Sequence, residues 1–258
     1  MTTQGWYTRG WMRGMLLLFS GLLFLLLWEG LVRWQHYPPY ILPSPELVAR
    51  KGLRALQDGT LWRHTRVTLV EILGGLALGV SGATVLGYLL AKHPLLEHLV
   101  GPYVVAAQAI PVVALAPLVI LWAGSGLWAK ILVAALTLFF PTLVNTMVGI
   151  RSVEQRYMEL MRVLNANRWQ IFRLVEVPAA LPILLGGLKI GTVLAVIGAV
   201  VGEFVAADQG LGFLINLTSR GTLDTALLFV AVGTLVLIAL ALYSGVGYVE
   251  SRVLRWRG

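Results

Sequence analysis

The chain has 258 residues, of which 58% are apolar and only 12% are charged, about half the charged share of an ordinary soluble domain. This composition predicts a membrane protein. The formal charge of +8 does not predict a nucleic acid partner, because the basic residues lie mostly between apolar runs, where they orient a chain in the bilayer. The absence of Cys excludes a disulfide framework, a thiolate metal site and a cysteine nucleophile, and we predict neither a metal nor a cofactor.

Six segments of the sequence carry the roughly 20 mostly apolar residues that cross ~30 Å of hydrocarbon. They are residues 14–32, 67–90, 99–123, 128–150, 180–203 and 225–249. We therefore predict an all-α membrane protein of six transmembrane helices, with a single transmembrane domain over residues 1–258. Arg9 and Arg13 precede the first segment as in a signal peptide, but Trp28–Leu31 offers no small-residue cleavage site, so we predict a span.

A mixed segment, residues 33–66, separates the first two spans. It opens with clustered prolines, and Glu46–Trp62 then places leucines at helical spacing among charged residues. This pattern is typical of an amphipathic helix that lies on the membrane and contacts lipid instead of crossing it.

The basic residues also indicate the orientation. With a cytoplasmic N-terminus, the cytoplasmic segments hold eleven Lys and Arg and the outer segments eight, of which six fall in residues 33–66. Outside that segment the ratio is eleven to two, which favours cytoplasmic N- and C-termini under the positive-inside rule.

Small residues and prolines mark special positions within the spans. Glycine pairs at helix-contact spacing, which let two backbones approach closely, are Gly75 with Gly79, Gly187 with Gly191 and Gly198 with Gly202. Pro111, Pro117 and Pro141 lie inside apolar segments and remove backbone donors. They predict kinks or broken turns, which are common where a membrane protein lines a path.

The sequence does not carry the residues that a membrane enzyme places at depth. All four His are predicted to lie in connections, and no hydrolase or zinc-protease motif and no paired intramembrane carboxylates are predicted. A phosphate-binding G-x-x-x-x-G-K-[ST] loop is also absent, so the chain is not expected to hydrolyse ATP itself.

Lys189 is the main ionisable residue well inside a predicted span. A buried ammonium group is a functional candidate, although the stem of Lys189 could also reach toward the cytoplasmic face or a wet cavity. Glu29, Glu71 and Glu203 lie near the predicted outer ends of spans, where an exposed or paired carboxylate is tolerated, and none of them predicts a proton relay.

The loop between the fourth and fifth spans, residues 151–178, is far longer than a helix connection requires. Apolar residues at 157, 160, 161 and 164 share one helical face, and residues 168–175 repeat the pattern, so we predict two short amphipathic helices. Asn165 is suited to a left-handed turn between them and Pro178 to the first turn of the next span. The apolar face needs a cover, which could be the protein's own spans, lipid headgroups or a partner.

Residue spacing in this loop resembles a known signature. Glu159-Leu160-Met161, then Asn165, then Val175-x-Val177-Pro178 matches the spacing of the E-A-A, G and I-x-L-P elements of ABC importer permeases. Leu160 and Met161 replace the two alanines, and Asn165 replaces the glycine. Phe139–Pro141, Asn167–Phe172 and Pro178–Pro182 are similar to the nitrate, sulfonate and taurine branch of that family.

The resemblance implies a permease in the cytoplasmic (inner) membrane with three kinds of partner. These are cytoplasmic ATP-binding subunits, an external substrate-binding protein, and a second copy or a closely related permease. It also implies that the loop couples the permease to the ATP-binding subunits, with Glu159 pairing a basic group there and Trp169 and Phe172 packing the helix pair. The implied coupling residues are Glu159, Leu160, Met161, Arg162, Asn165, Trp169, Phe172, Val175, Val177 and Pro178.

The substrate is indicated less directly. Residues 201–214 are more similar to permeases for riboflavin or the thiamine pyrimidine, and Lys189 alone supplies a basic residue at mid-depth, which favours a neutral aromatic ligand over sulfonate, taurine or nitrate. An ion-coupled secondary transporter or channel is the alternative of another class. Our candidates for the translocation path are Gln108, Pro111, Asn145 and Lys189.

Overall fold

The computed structural model describes residues 10–255, which form helices and connecting turns. Arg9 and Arg257, both counted in the orientation argument, lie outside this part. The helices are α1 Gly10–Gln35, α2 Pro45–Gln57, α3 Thr60–Lys92, α4 Pro94–Gln108, α5 Val112–Ala123, α6 Leu127–Arg151, α7 Gln155–Val163, α8 Arg168–Ile171, α9 Val177–Ala206, α10 Leu211–Leu217 and α11 Thr225–Val253. A π-helical turn, Phe172–Glu176, joins α8 to α9, and a second, Thr218–Thr222, follows α10.

Five helical segments among the described residues are long and apolar enough to cross a membrane, and α4 with α5 forms a sixth candidate that is bent by 101°. The prediction of an all-α membrane protein is confirmed. The segment predicted as one span over 99–123 is thus two helices. Pro111 begins the second of them, because it has no N–H for the preceding turn and disfavours helical backbone at Ile110. In contrast, α5 and α6 continue past Pro117 and Pro141.

The chain divides into two compact units. The first takes in the chain up to Leu61 together with Ile215–Ala231. In it, Ser44 caps α2 by accepting a hydrogen bond from Leu47 N at 3.3 Å. Lys51 of α2 forms an ion pair with Asp224 at 2.5 Å, and Gly52 lies against Val230. The amphipathic helix predicted over 46–62 is present but ends at Gln57, so Leu61 and Trp62 belong to α3, and one face of α2 packs on the start of α11.

The second unit, Trp62–Leu214 with the chain from Val232, is built around α6. Gly75 and Gly79 of α3 meet α6 on one side, and Gly198 and Gly202 of α9 meet it on the other. A Cβ atom at Gly75 would lie 2.5 Å from the Cβ of Ala134, which is fully buried. The glycine pairs therefore serve the close helix packing that their spacing predicts.

Candidate functional site

The predicted two-helix loop is present, and its turn is made by the backbone. Asn165 has φ of 51°, in the left-handed region. Its N–H donates to the carbonyl of Arg162, and the N–H of Ala166 donates to the carbonyl of Met161. These are the two bonds of a Schellman motif, which ends a helix with a left-handed residue that is usually glycine. Asparagine at this position is therefore compatible with the turn that the signature requires.

The second helix begins with a complete capping box. The side chain of Asn167 accepts from Gln170 N at 2.9 Å, and the side chain of Gln170 accepts from Asn167 N at 2.8 Å. Because both orphan donors are satisfied, α8 is held at a defined start only two residues after the left-handed turn. The helix then continues through the π turn into α9, giving one segment, Arg168–Ala206. The fifth span therefore starts earlier than the predicted 180, and Pro178 lies in the first turn of α9.

The apolar residues of α7 divide between two faces, which corrects the single face predicted from the sequence. Met161 is buried and Met158 is half-buried, so these side chains face the protein. Tyr157, Leu160 and Leu164 are exposed, Leu160 to 53% and Leu164 to 65%. The protein's own spans thus cover only part of the apolar surface of this helix.

Glu159 lies on the exposed side of α7. Its carboxylate accepts a hydrogen bond from the Gln155 side chain one turn earlier, at 2.9 Å. Within the described part of the chain, no ion pair involves Glu159. An exposed carboxylate among exposed apolar side chains is available to a partner.

Aromatic rings connect the loop to α3. Trp169 stacks on Phe172 at 5.4 Å between ring centroids, and Phe172 meets Tyr88 edge-on at the same distance. Trp169 is itself 65% exposed, so it also extends the outer surface of the loop. The sequence predicted that Trp169 and Phe172 pack the two loop helices together; the ring contacts found are instead between these two residues and from Phe172 to Tyr88 of α3.

Glu176, at the x position of the signature, was not identified from the sequence. Its side chain is only 3% exposed, forms an ion pair with Lys92 and accepts from the hydroxyl of Tyr88 at 3.1 Å. A second ion pair joins Arg151, the last residue of α6, to Glu97 in the first turn of α4. These contacts hold the π turn against α3 and the end of α6 against the start of α4. We call this end of the spans the loop end.

The remaining predicted coupling residues lie along the same segment. Arg162 is exposed, whereas Val175, Val177 and Pro178 are half-buried where the π turn enters α9. The four candidate path residues lie in three places. Gln108 and Pro111 flank the bend between α4 and α5, Asn145 lies against Gly187, and Lys189 forms an ion pair with Glu250 of α11.

A second polar cluster lies toward the opposite end of the spans, and it corrects two predictions. Glu71 and Glu203, which were expected to be exposed or paired, are fully buried with their carboxyl groups facing each other, so paired intramembrane carboxylates do occur. Lys130 Nζ lies 3.5 Å from Glu71. His64, which was predicted to lie in a connection, is part of α3 and accepts from Gly210 N at 3.0 Å; His98 likewise lies in α4.

Thr68 holds this cluster together. Its hydroxyl donates to Glu203 at 2.6 Å and accepts from Leu211 N at 2.8 Å, while Gly212 N also donates to Glu203. His64, Thr68 and Glu203 thus satisfy the first N–H groups of α10 and anchor the turn before it. Gly210 has φ of +123° and no room for a Cβ atom beside the Glu203 carboxylate, so only glycine fits there.

We expect Thr68→Val to destabilise the protein by about 1–3 kcal/mol, because it leaves a buried carboxylate and a buried N–H each short of a partner. Thr192→Val is the control, since Thr192 is equally buried but bonds only to Lys189 O in its own helix. Thermal unfolding of the detergent-purified protein measures the difference. Equal melting temperatures for the two variants would contradict the anchoring role of Thr68.

Long apolar helices, a bent helix pair and a structured loop with an exposed apolar face define an α-helical membrane protein with a surface open to a partner. Residues 83–255 match the family described as binding-protein-dependent transport system inner membrane component. The chain is 52% identical over 235 residues to the riboflavin transport system permease protein RibX of Chloroflexus aurantiacus, covering 91% of this chain and 87% of RibX. It is 36% identical over 236 residues to the formylaminopyrimidine transport permease protein ThiX of Halalkalibacterium halodurans, covering 92% and 93%.

Among solved structures, the fold is similar to the MetNI methionine ABC transporter in an inward facing conformation. The TM-score is 0.62 at 21% identity, over 76% of this chain and 94% of that chain. The chain belongs to the binding-protein-dependent transport system inner membrane components, the permease subunits of ABC importers. It is a transport subunit of the inner membrane that works with ATP-binding and substrate-binding partners, and not an enzyme. The alternative of an ion-coupled transporter or channel is therefore wrong.

Proposed function

We propose that this permease imports riboflavin or a related neutral heteroaromatic vitamin precursor. We also propose that ATP-binding subunits drive the import by binding α7. The observation that carries the second part is the exposed surface of α7, where Glu159 lies among Tyr157, Leu160 and Leu164. Apolar area supplies affinity in such an interface, whereas a single carboxylate supplies orientation and specificity. Arg162, Asn165, Trp169 and Val175 to Pro178 complete the coupling segment.

The substrate is proposed from the relatives and from the buried charges. RibX, at 52% identity, is named for riboflavin, and ThiX is named for a formylaminopyrimidine. A sulfonate, taurine or nitrate path would be expected to offer an unpaired cation at depth. Lys189, the lysine well inside a span, is paired with Glu250, and Lys130, in the first turn of α6, is buried and paired with Glu71. This pairing favours an uncharged substrate.

The assembly we propose has two copies of the permease, with N- and C-termini on the cytoplasmic side. The ratio of eleven to two basic residues supports that orientation, since it places the loop end toward the ATP-binding subunits. We retain Gln108, Pro111 and Asn145 as path residues, because a broken helix supplies the free backbone groups that line membrane paths. Lys189 is retained at the edge of the path, with its charge balanced by Glu250.

The test is riboflavin uptake into vesicles that contain the permease, its ATP-binding subunits and its binding protein. We expect ATP-dependent uptake of riboflavin, and we expect Glu159→Arg to lower both uptake and co-purification of the ATP-binding subunit by about tenfold or more, since it places a cation opposite a cation. Glu154→Arg is the control, because Glu154 is exposed in the same loop and pairs locally with Arg156 at 2.5 Å.

The two parts of the proposal fail separately. Unchanged uptake in Glu159→Arg would refute the coupling role while leaving the substrate intact. Uptake of the thiamine pyrimidine or of taurine, with none of riboflavin, would refute the substrate while leaving the coupling role intact.

A further inference from the structure

Two cavities adjoin at the loop end of α3. One, of about 490 Å³, is lined by basic residues together with Tyr88, Leu89 and apolar residues of the loop, and we call it the head cavity. The other, of about 280 Å³, runs along α3, α6 and α9, and we call it the tail groove. Tyr88 and Leu89 line both. The two cavities therefore share a wall formed by these two residues.

The head cavity carries an excess of positive charge. Lys92, Arg162 and Arg168 line it, and Glu176 is the acidic residue in its wall. Lys92 and the hydroxyl of Tyr88 already satisfy Glu176. Arg162 and Arg168 are exposed and, within residues 10–255, are involved in no ion pair. Arg162 and Arg168 thus add two positive charges to the cavity lining that Glu176, already paired with Lys92, does not balance.

The tail groove presents no polar surface. Val85, Leu89 and Leu184 contribute aliphatic side chains, and Phe172 contributes an aromatic ring. Thr146 lines the groove, but its hydroxyl is turned to the carbonyl of Thr142 in its own helix at 2.8 Å, so it offers a methyl group. A groove of this kind, on the membrane-crossing parts of three helices, takes a hydrocarbon chain.

We propose that the two cavities together bind one anionic phospholipid, with its phosphate between Arg162 and Arg168 and one acyl chain in the tail groove. Basic pockets between helices at a membrane surface bind anionic headgroups, and guanidinium groups match phosphate oxygens in two-pronged geometry. The head cavity alone would also suit free phosphate or an acidic segment of a protein partner. Neither of those would use the apolar groove that adjoins the cavity at Tyr88 and Leu89, whereas a phospholipid has a headgroup for the one and an acyl chain for the other.

The site has a consequence for coupling. Its walls include Tyr88, Phe172 and Glu176, the residues that tie the π turn to α3. A bound lipid would contact Glu176 and Tyr88 from the head cavity, and Phe172 and Tyr88 from the tail groove. The lipid is therefore expected to stabilise the joint between the loop and the fifth span.

The test is native mass spectrometry of the purified permease with its ATP-binding subunits, titrated with phosphatidylglycerol, phosphatidylcholine of the same chains, or inorganic phosphate. We expect phosphatidylglycerol to be retained at least about tenfold more strongly than phosphatidylcholine, with loss of that preference in the Arg162→Gln, Arg168→Gln double variant. Arg173→Gln is the control, because Arg173 is an exposed residue of the same segment that does not line the cavity.

A second variant tests the groove without touching the arginines. Val85→Trp fills the groove from a rim position that is 63% exposed, so folding should survive. It is expected to weaken retention of phosphatidylglycerol at least about fivefold and to leave any phosphate binding unchanged. The proposal would be overturned if both lipids were retained equally, or if millimolar inorganic phosphate alone displaced phosphatidylglycerol from the permease. Arginine variants that release the ATP-binding subunit while keeping the lipid would also overturn it, since a protein partner would then be the occupant.

Discussion

Gly75→Ala is expected to destabilise the permease severely, although it adds a single methyl group. The new Cβ would lie 2.5 Å from the Cβ of Ala134 and 3.1 Å from the backbone N of Ala135, so backbone as well as side chains must move. Ala134 is fully buried, and Gly198 of α9 packs against its Cα atom from the other side. A shift of α6 away from α3 therefore compresses its contact with α9.

The expected cost is at the upper end of the ~1–3 kcal/mol that overpacking usually carries. That is a large part of a typical stability of about 5–15 kcal/mol. The measurement is the yield of monodisperse protein in detergent together with its melting temperature. We expect Gly75→Ala to have a markedly lower melting temperature and a reduced yield of monodisperse protein.

Two companion variants make this result specific. Gly186→Ala adds the same methyl group in α9, where nothing lies within 4 Å of the new atom, and should be neutral or slightly stabilising because alanine favours helix. Ala134→Gly in the Gly75→Ala background removes the nearest clash and should restore part of the lost stability. If Gly75→Ala behaved like Gly186→Ala, the close packing of α3 on α6 would be wrong.

Local features of the sequence were sufficient to predict the helices and the loop turn. Apolar runs of about 20 residues identify spans because every backbone group in lipid must be paired within its own helix. The turn at Asn165 was predictable because asparagine tolerates left-handed backbone, a property that depends on that residue alone. The glycine pairs were equally predictable, because two helix backbones can approach closely only at small residues, whichever helix is the partner.

Charge partners across the fold were not predictable in this way. Glu71, Lys130 and Glu203 belong to three helices, and no local rule states which faces meet. A partial signal was present, however. His64, Thr68 and Glu71 are spaced by four and three residues and so share one helical face, which marks a polar stripe on an otherwise apolar span. That stripe was missed because the second span was predicted to start at 67, three residues after His64.

Glu176 was missed for a related reason. It is a single charge between Val175 and Val177 in a stretch predicted to be a loop end, where a solvated carboxylate would need no partner. The helix actually continues through a π turn from Arg168, which turns Glu176 inward onto α3. The partners Tyr88 and Lys92 are more than 80 residues away in the chain, as the separations of 88 and 84 residues show.

This tie leads to the second large prediction, a charge exchange between Lys92 and Glu176. Lys92→Glu alone leaves two carboxylates facing each other, and Glu176→Lys alone leaves a buried ammonium beside a second cation. Breaking a buried pair costs ~3–5 kcal/mol, and Lys92 is about one-third exposed, so a value nearer ~2 kcal/mol is expected for each single variant. We expect each to lose most ATP-driven uptake, because the loop would no longer be fixed to α3.

The double variant, Lys92→Glu with Glu176→Lys, restores opposite charges and should recover a substantial part of uptake, which the coupling energy of a double-mutant cycle measures. The control is the same charge exchange at Glu46 and Arg50, a pair on α2 whose side chains are 73% and 63% exposed. We expect neither the single variants nor the double variant of this pair to change uptake. If uptake is lost, measuring the binding of the ATP-binding subunit shows whether the variant fails to bind that subunit or fails to transmit its movement. A variant that still binds the subunit and hydrolyses ATP without uptake places the tie in the transmission of movement from α7 to α9. Full uptake in both single variants would instead show that the aromatic contact of Phe172 with Tyr88 is sufficient to hold the loop.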